Sequence, residues 1–143
     1  MTTLFTLSSP AFGDNGTLPL AQVHPAAGGA NRSPALFWEN PPAGTKSFAL
    51  SCYDPDAPTG SGFWHWYVIN LPADTRSLAE DAAANGLPAG AQHGRNDYGD
   101  FGYGGACPPP GHGAHRYVFV IHALDCVHLE LPQDITTAAI GFN

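Results

Sequence analysis

The chain has 143 residues, enough for one domain with a hydrophobic core. Its formal charge is −7, with only Arg32, Lys46, Arg76, Arg95 and Arg116 as fixed cations, which excludes a surface built to grip a nucleic-acid backbone or an anionic membrane. Charged residues make up 12%, about half the usual ~25%, and 17 glycines with 14 prolines favour short strands and ordered loops over helices.

In chain order, residues 1–35 are loop-rich, with turn clusters at Gly13-Asp14-Asn15-Gly16 and Gly28-Gly29-Ala30-Asn31. Short strands are expected over Leu4–Ser8 and Leu36–Trp38. Ser47–Tyr53 alternates Phe48, Leu50 and Cys52 against Ala49, Ser51 and Tyr53, a strand pattern. A Pro/Gly loop, Asp54–Gly62, leads to the aromatic and β-branched run Phe63–Asn70, expected as a central strand. Thr75–Ala84 reads as a short helix capped by Asp74 or Thr75. Arg116–Leu124 carries a strong strand pattern, and Gln133-Asp134 would cap a last short helix over Ile135–Ile140. Strands joined by long loops, with few helices and no dividing linker, predict one all-β domain, a sheet or a sandwich.

The segment Asn96–Tyr117 stands apart. Its run N-D-Y-G-D-F-G-Y-G-G-A-C-P-P-P-G-H-G-A-H-R-Y cannot continue a helix or a regular strand. Aromatic residues on such costly backbone imply that the loop shapes something. It reads as the wall of a ligand pocket, with His115 at the rim.

Three further features bear on chemistry. Asp54-Pro55-Asp56-Ala57-Pro58 is a stiff turn with directed carboxylates, one facing the pocket and one bracing the loop. His65 lies between Trp64 and Trp66, and period two places it on the opposite face from both. His112 and His115 have H-x-x-H spacing, but in a glycine-rich loop with Cys107 as the nearest thiol they do not make a zinc site, so no metal is expected. His122 reads as half-buried structure. Cys52, Cys107 and Cys126, without a C-x-x-C pair, read as buried reduced thiols. The N-terminus has no basic n-region and no long apolar run, so the expected compartment is the cytoplasm. There is no G-x-S-x-G elbow and no phosphate loop before a helix.

In order, D-P-D-A-P (54–58), H-W (65–66) leading to Asn70, and G-Y-G-G-x-C-P-P-x-G…H-R-Y (102–117) resemble the phosphatidylethanolamine-binding protein family, above all its bacterial and archaeal Raf-kinase-inhibitor-like branch. The runs at Ser33–Trp38, Pro42–Leu50 and Ala138–Asn143 extend the resemblance over nearly the whole chain. It implies a mainly β fold, with a large central antiparallel sheet packed with a smaller second sheet and few short peripheral helices. It also implies a non-enzymatic site for a small anionic ligand such as phosphate or phosphoethanolamine, with no cofactor, and the docking of protein partners such as kinases. Carried over by residue, the ligand-binding set is Asp54, Pro58, His65, Tyr103, Gly105, Pro109, His115 and Tyr117, with a cis peptide before Pro58. Gly105 would let backbone N–H groups approach an oxyanion. Two rival readings are a hydrolase using Asp54, His65 and His115, and a protein-interaction domain with a vestigial pocket. Family members continue past the G-F-N with a further strand, whereas this sequence ends at Asn143. On that reading a sheet edge is left bare for a homodimer partner to cover, or the sequence is cut short.

Overall fold

The computed structural model describes residues 4–109, 111 and 113–131. The expected last helix, the G-F-N run and His112 lie outside them.

Strand β1 (Thr6–Ser8), β2 (Leu36–Glu39) and β5 (Ser77–Leu78) form a three-stranded sheet in the order β1-β2-β5. Strands β3 (Ser47–Asp54), β4 (Phe63–Pro72), β6 (Gln92–His93) and β7 (Val118–Leu124) form the larger sheet in the order β6-β4-β3-β7. All these pairings are antiparallel. The mainly β, two-sheet architecture is therefore as expected, with β4 and β3 at its centre.

Alternation along β3 explains the layering. Phe48, Leu50 and Cys52 meet Leu36, Trp38 and Leu78 of the small sheet, together with Trp66, Val68 and Leu71 of β4, in the main core between the sheets. Ala49 faces the other way, with Tyr67 and Ile69, and is covered by Leu124, Leu129 and Leu131. Both faces of the large sheet are thus buried, which is why β3 and β4 are apolar nearly throughout. Asn70, at φ 61, anchors the cover: its side chain donates to Leu129 O at 3.1 Å and accepts from Leu129 N–H at 2.7 Å. His122 is exposed on β7 rather than half-buried. Among the cysteines only Cys52 is fully buried, and burial pushes its thiol up; Cys107 and Cys126 are half-buried.

Two local expectations are corrected. Thr75–Ala84 is not one helix. Leu78 pairs with Leu36 and is buried, which draws Ser77–Leu78 into the sheet. Helix α1 is confined to Ala82–Asn85. Its cap comes from far along the chain: Ser33 Oγ accepts from Ala83 N–H at 3.1 Å. Second, no cis peptide bond occurs among the described residues, so Ala57–Pro58 is trans. Trans is the ordinary preference of such an amide, and the turn closes by Thr59 N–H donating to Ala57 O at 2.8 Å.

Candidate functional site

The site is assembled where β3, β4 and the strand-entry segment before β7 converge. Asp54 is the last residue of β3 and is 3% exposed. One of its oxygens, Oδ1, accepts from Asp56 N–H at 2.8 Å, which shapes the turn. The other, Oδ2, lies 2.7 Å from His115 Nδ1, and the His115 side chain is 2% exposed. A carboxylate accepts, so Nδ1 of His115 carries the proton.

His65 enters by a distortion of β4. Tyr53 pairs with Trp64 and Cys52 pairs with Trp66, so His65 is an extra residue on its strand, a β-bulge. Asp97 pins the bulge: its carboxylate accepts from Trp64 N–H at 2.8 Å and its own N–H donates to Trp64 O at 2.9 Å. The bulge breaks the expected alternation. Trp64 packs on the Tyr67 side of the sheet and Trp66 in the main core, so the two tryptophans do not share a face. His65 is 4% exposed, and its Nδ1 lies 2.8 Å from Gly104 O. A carbonyl can only accept, so Nδ1 donates and the neutral ring keeps its lone pair on Nε2. Burial lowers the His65 pKa below its ordinary 6.5, against the opposing hydrogen bonds with the Gly104 and Gly105 backbone and the charge of Asp54.

Aromatic rings enclose His65. Phe63, Tyr117 and Tyr98 have centroids 4.9, 5.3 and 5.7 Å from it. Tyr117 also stacks towards His115, at 6.5 Å, so its ring is a neighbour of both imidazoles. Its hydroxyl is buried, and burial together with Asp54 pushes its pKa up. Tyr98 donates to Gly105 O at 2.8 Å and is pushed up to about 12, chiefly by burial.

Of the eight residues expected at the site, the structure gathers Asp54, His65, His115 and Tyr117. Gly105 adjoins them, as a backbone hydrogen-bond partner of His65 and the acceptor of Tyr98, and the other three make different contacts. Tyr103 is a core residue, edge-on to Trp66 at 5.6 Å, with its hydroxyl donated to Gln22 O at 2.7 Å. Gly105 packs the loop against the 22–24 segment: a Cβ there would sit 2.5 Å from His24 N and 2.6 Å from Gln22 O. Its N–H is taken by Asn31 Oδ1 at 2.7 Å, so it does not reach for an oxyanion. Pro58 and Pro109 are exposed. Residue type alone showed that these positions need special backbone or burial, but not which neighbour they serve. Phe63, Tyr98 and Asp97 went unnoticed because only the bulge and the loop's folding bring them to His65.

A cleft of about 850 Å³ opens beside the site, between the 7–18 segment and residues 114–119. His115 and Tyr117 form part of its wall, whereas Asp54 and His65 do not. The cleft therefore adjoins the His115 side of the pair. Among the described residues, no cluster of three or more His, Cys, Asp and Glu side chains is arranged to hold a metal ion. Among them, too, no helix is long and apolar enough to cross a membrane.

These features define a two-sheet β domain carrying a buried carboxylate–histidine pair beside a second buried histidine. The phosphatidylethanolamine-binding protein family profile matches residues 8–143, and the chain belongs to that family. YbhB of Escherichia coli is 48% identical over 134 residues, covering 91% of this chain and 84% of YbhB. YbcL of the same organism is 49% identical over 117 residues, covering 80% of this chain but only 64% of YbcL, under two thirds of its length. The solved structure of YbcL, described as a new member of the mammalian PEBP family, matches with a TM-score of 0.92 at 43% identity, over 96% of this chain and 87% of the other. A Chlamydia trachomatis structure described as a PEBP homolog matches with a TM-score of 0.83 at 32% identity, over 96% and 86%.

Proposed function

We propose that the chain is a non-enzymatic binding protein for a small anionic ligand of the phosphate or phosphoethanolamine type, held at Asp54, His65, His115 and Tyr117. The observation that carries this reading is the 2.7 Å contact between Asp54 Oδ2 and His115 Nδ1 beside His65, whose Nδ1 is held at 2.8 Å by Gly104 O. Each ring is oriented through Nδ1, and for His65 a protonated ring presents Nε2–H as its second donor. Such a donor suits an oxyanion, and binding one favours the charged form of His65. Asp54 does not oppose this, because its charge is engaged by His115. The Tyr117 ring borders both imidazoles, and burial of this kind strengthens charge-assisted contacts.

The test is an NMR titration that follows the His65 and His115 rings at mildly acidic pH. One arm uses inorganic phosphate and the other phosphoethanolamine, which separates a bare phosphoryl site from a head-group site. Both rings are expected to shift at millimolar ligand, and the response is expected to vanish in His115→Ala. Unmoved rings in both arms would overturn the reading. Phosphomonoester turnover lost in His65→Ala would overturn its non-enzymatic part.

A further inference from the structure

We propose that Asp56 is a positioning residue of the anion site, fixing the main chain at His115 while Asp54 fixes its side chain. The inference rests on the reading of the site given above. Asp56 Oδ2 accepts from Arg116 N–H at 2.7 Å. That N–H belongs to the peptide unit formed with the His115 carbonyl, so the bond sets the ψ angle of His115. The same carboxylate takes the Arg116 guanidinium in a fork, with Nε at 3.0 Å from Oδ2 and 3.3 Å from Oδ1 and Nη2 at 2.9 Å from Oδ1. One short turn thus grips two consecutive residues, His115 through Asp54 and Arg116 through Asp56.

The fork is exposed, with side chains 73% accessible for Arg116 and 29% for Asp56. An ion pair in that setting contributes little to global stability, which leaves local geometry as its main effect. Asp56 stays ionised throughout the ordinary pH range, because the Arg116 hydrogen bonds hold its carboxyl at about 2. Arg116 lines the cleft that adjoins His115, and its charge is committed to Asp56 rather than to a ligand. Loss of the fork would release the peptide between His115 and Arg116 and blur the imidazole position on which anion binding depends.

The experiment compares wild type, Asp56→Ala, Asp56→Asn, Arg116→Ala and the Asp56→Ala/Arg116→Ala double variant. Affinity for inorganic phosphate is read by NMR. Without ligand, solvent exchange of the His115 Nδ1 proton is read separately. Asp56→Ala is expected to weaken phosphate binding on the order of tenfold, the size of losing one charged hydrogen bond. It is also expected to speed Nδ1 proton exchange while leaving the thermal midpoint nearly unchanged. Asp56→Asn keeps an acceptor for the Arg116 N–H and should recover part of both. The double variant should be no worse than Asp56→Ala, since both remove one device. Unchanged exchange in Asp56→Ala overturns the proposal even if no ligand binds wild type. Tighter phosphate binding in Asp56→Ala would also overturn it, by showing Arg116 to be a ligand group that Asp56 restrains.

Discussion

Asp54 and His115 stand 61 residues apart in sequence and 2.7 Å apart in space, and both side chains are almost wholly buried. The contact joins the end of β3 to the segment that feeds β7, the neighbour of β3 in the large sheet. The same pair therefore closes the sheet's end and orients an imidazole.

Removing the carboxylate tests both roles. Asp54→Ala leaves a buried His115 Nδ1–H without its acceptor and deprives Asp56 N–H of Oδ1. An unsatisfied buried polar group costs about 1–3 kcal/mol. Urea denaturation should show a loss of that order with little change in slope. Asp54→Asn, which retains an acceptor oxygen, should lose less. Equal stability of wild type and Asp54→Ala would mean that the pair is not formed in solution.

His65 predicts a stability change with pH. Its folded pKa lies below the ordinary 6.5 because burial disfavours the imidazolium. Above the unfolded value both states are neutral and the contribution is fully present. As pH falls through about 6.5 towards the lower folded value, the unfolded chain takes up the proton first, and stability is lost. Thermal midpoints should therefore decline across that acidic window, and His65→Gln should flatten the decline. Phosphate should offset it, because a bound anion favours the charged ring.

The strands were legible because they follow local rules. Phe48, Leu50 and Cys52 alternate with Ala49 and Ser51, and period two alone assigns their faces. The bulge at His65 was not legible, because it comes from the register of β4 against β3 and from the grip of Asp97 on Trp64. The helix expected over Thr75–Ala84 gave way to Leu78, whose burial against Leu36 outweighs weak local propensity. Ser33 then supplies the α1 cap from a distant segment, and no local pattern announces it. Tyr103 and Gly105 were recognised as special, but their packing was not legible, since their partners, Gln22 and His24, lie on a segment whose docking only the fold reveals.

Gly105→Ala separates the packing role of that glycine from a ligand role. Its added Cβ would meet His24 N at 2.5 Å and Gln22 O at 2.6 Å, backbone atoms that cannot rotate away. Overpacking of this kind costs about 1–3 kcal/mol. The variant should melt several degrees lower, and amide exchange should quicken at His24, whose N–H donates to Ala106 O at 2.9 Å. An unchanged melting temperature would show that the loop docks elsewhere.

Asn96 tests whether the loop's order comes from one side chain. It is 3% exposed, and its Oδ1 accepts from Tyr98 N–H at 3.0 Å and from Asp100 N–H at 3.1 Å. Its Nδ2 donates to Gly102 O at 3.0 Å. Three backbone groups of a glycine-rich turn thus depend on one amide, and each net hydrogen bond contributes about 0.5–1.5 kcal/mol. Asn96→Ala should lose about 2–3 kcal/mol, and the damage should spread by a defined route. Tyr98 packs on Phe63 at 4.8 Å and on His65 at 5.7 Å, so releasing its N–H loosens the aromatic wall over the imidazole. Asp97 lies between the two anchored residues and holds the Trp64 backbone, so the bulge that presents His65 loses its clamp as well. The measurable sign is a rise of the His65 pKa towards its ordinary value as the ring becomes hydrated. Asn96→Asp keeps the two acceptor contacts while losing the donor, and should retain most of the depression. A His65 titration identical in wild type and Asn96→Ala would show that the bulge stands without the loop.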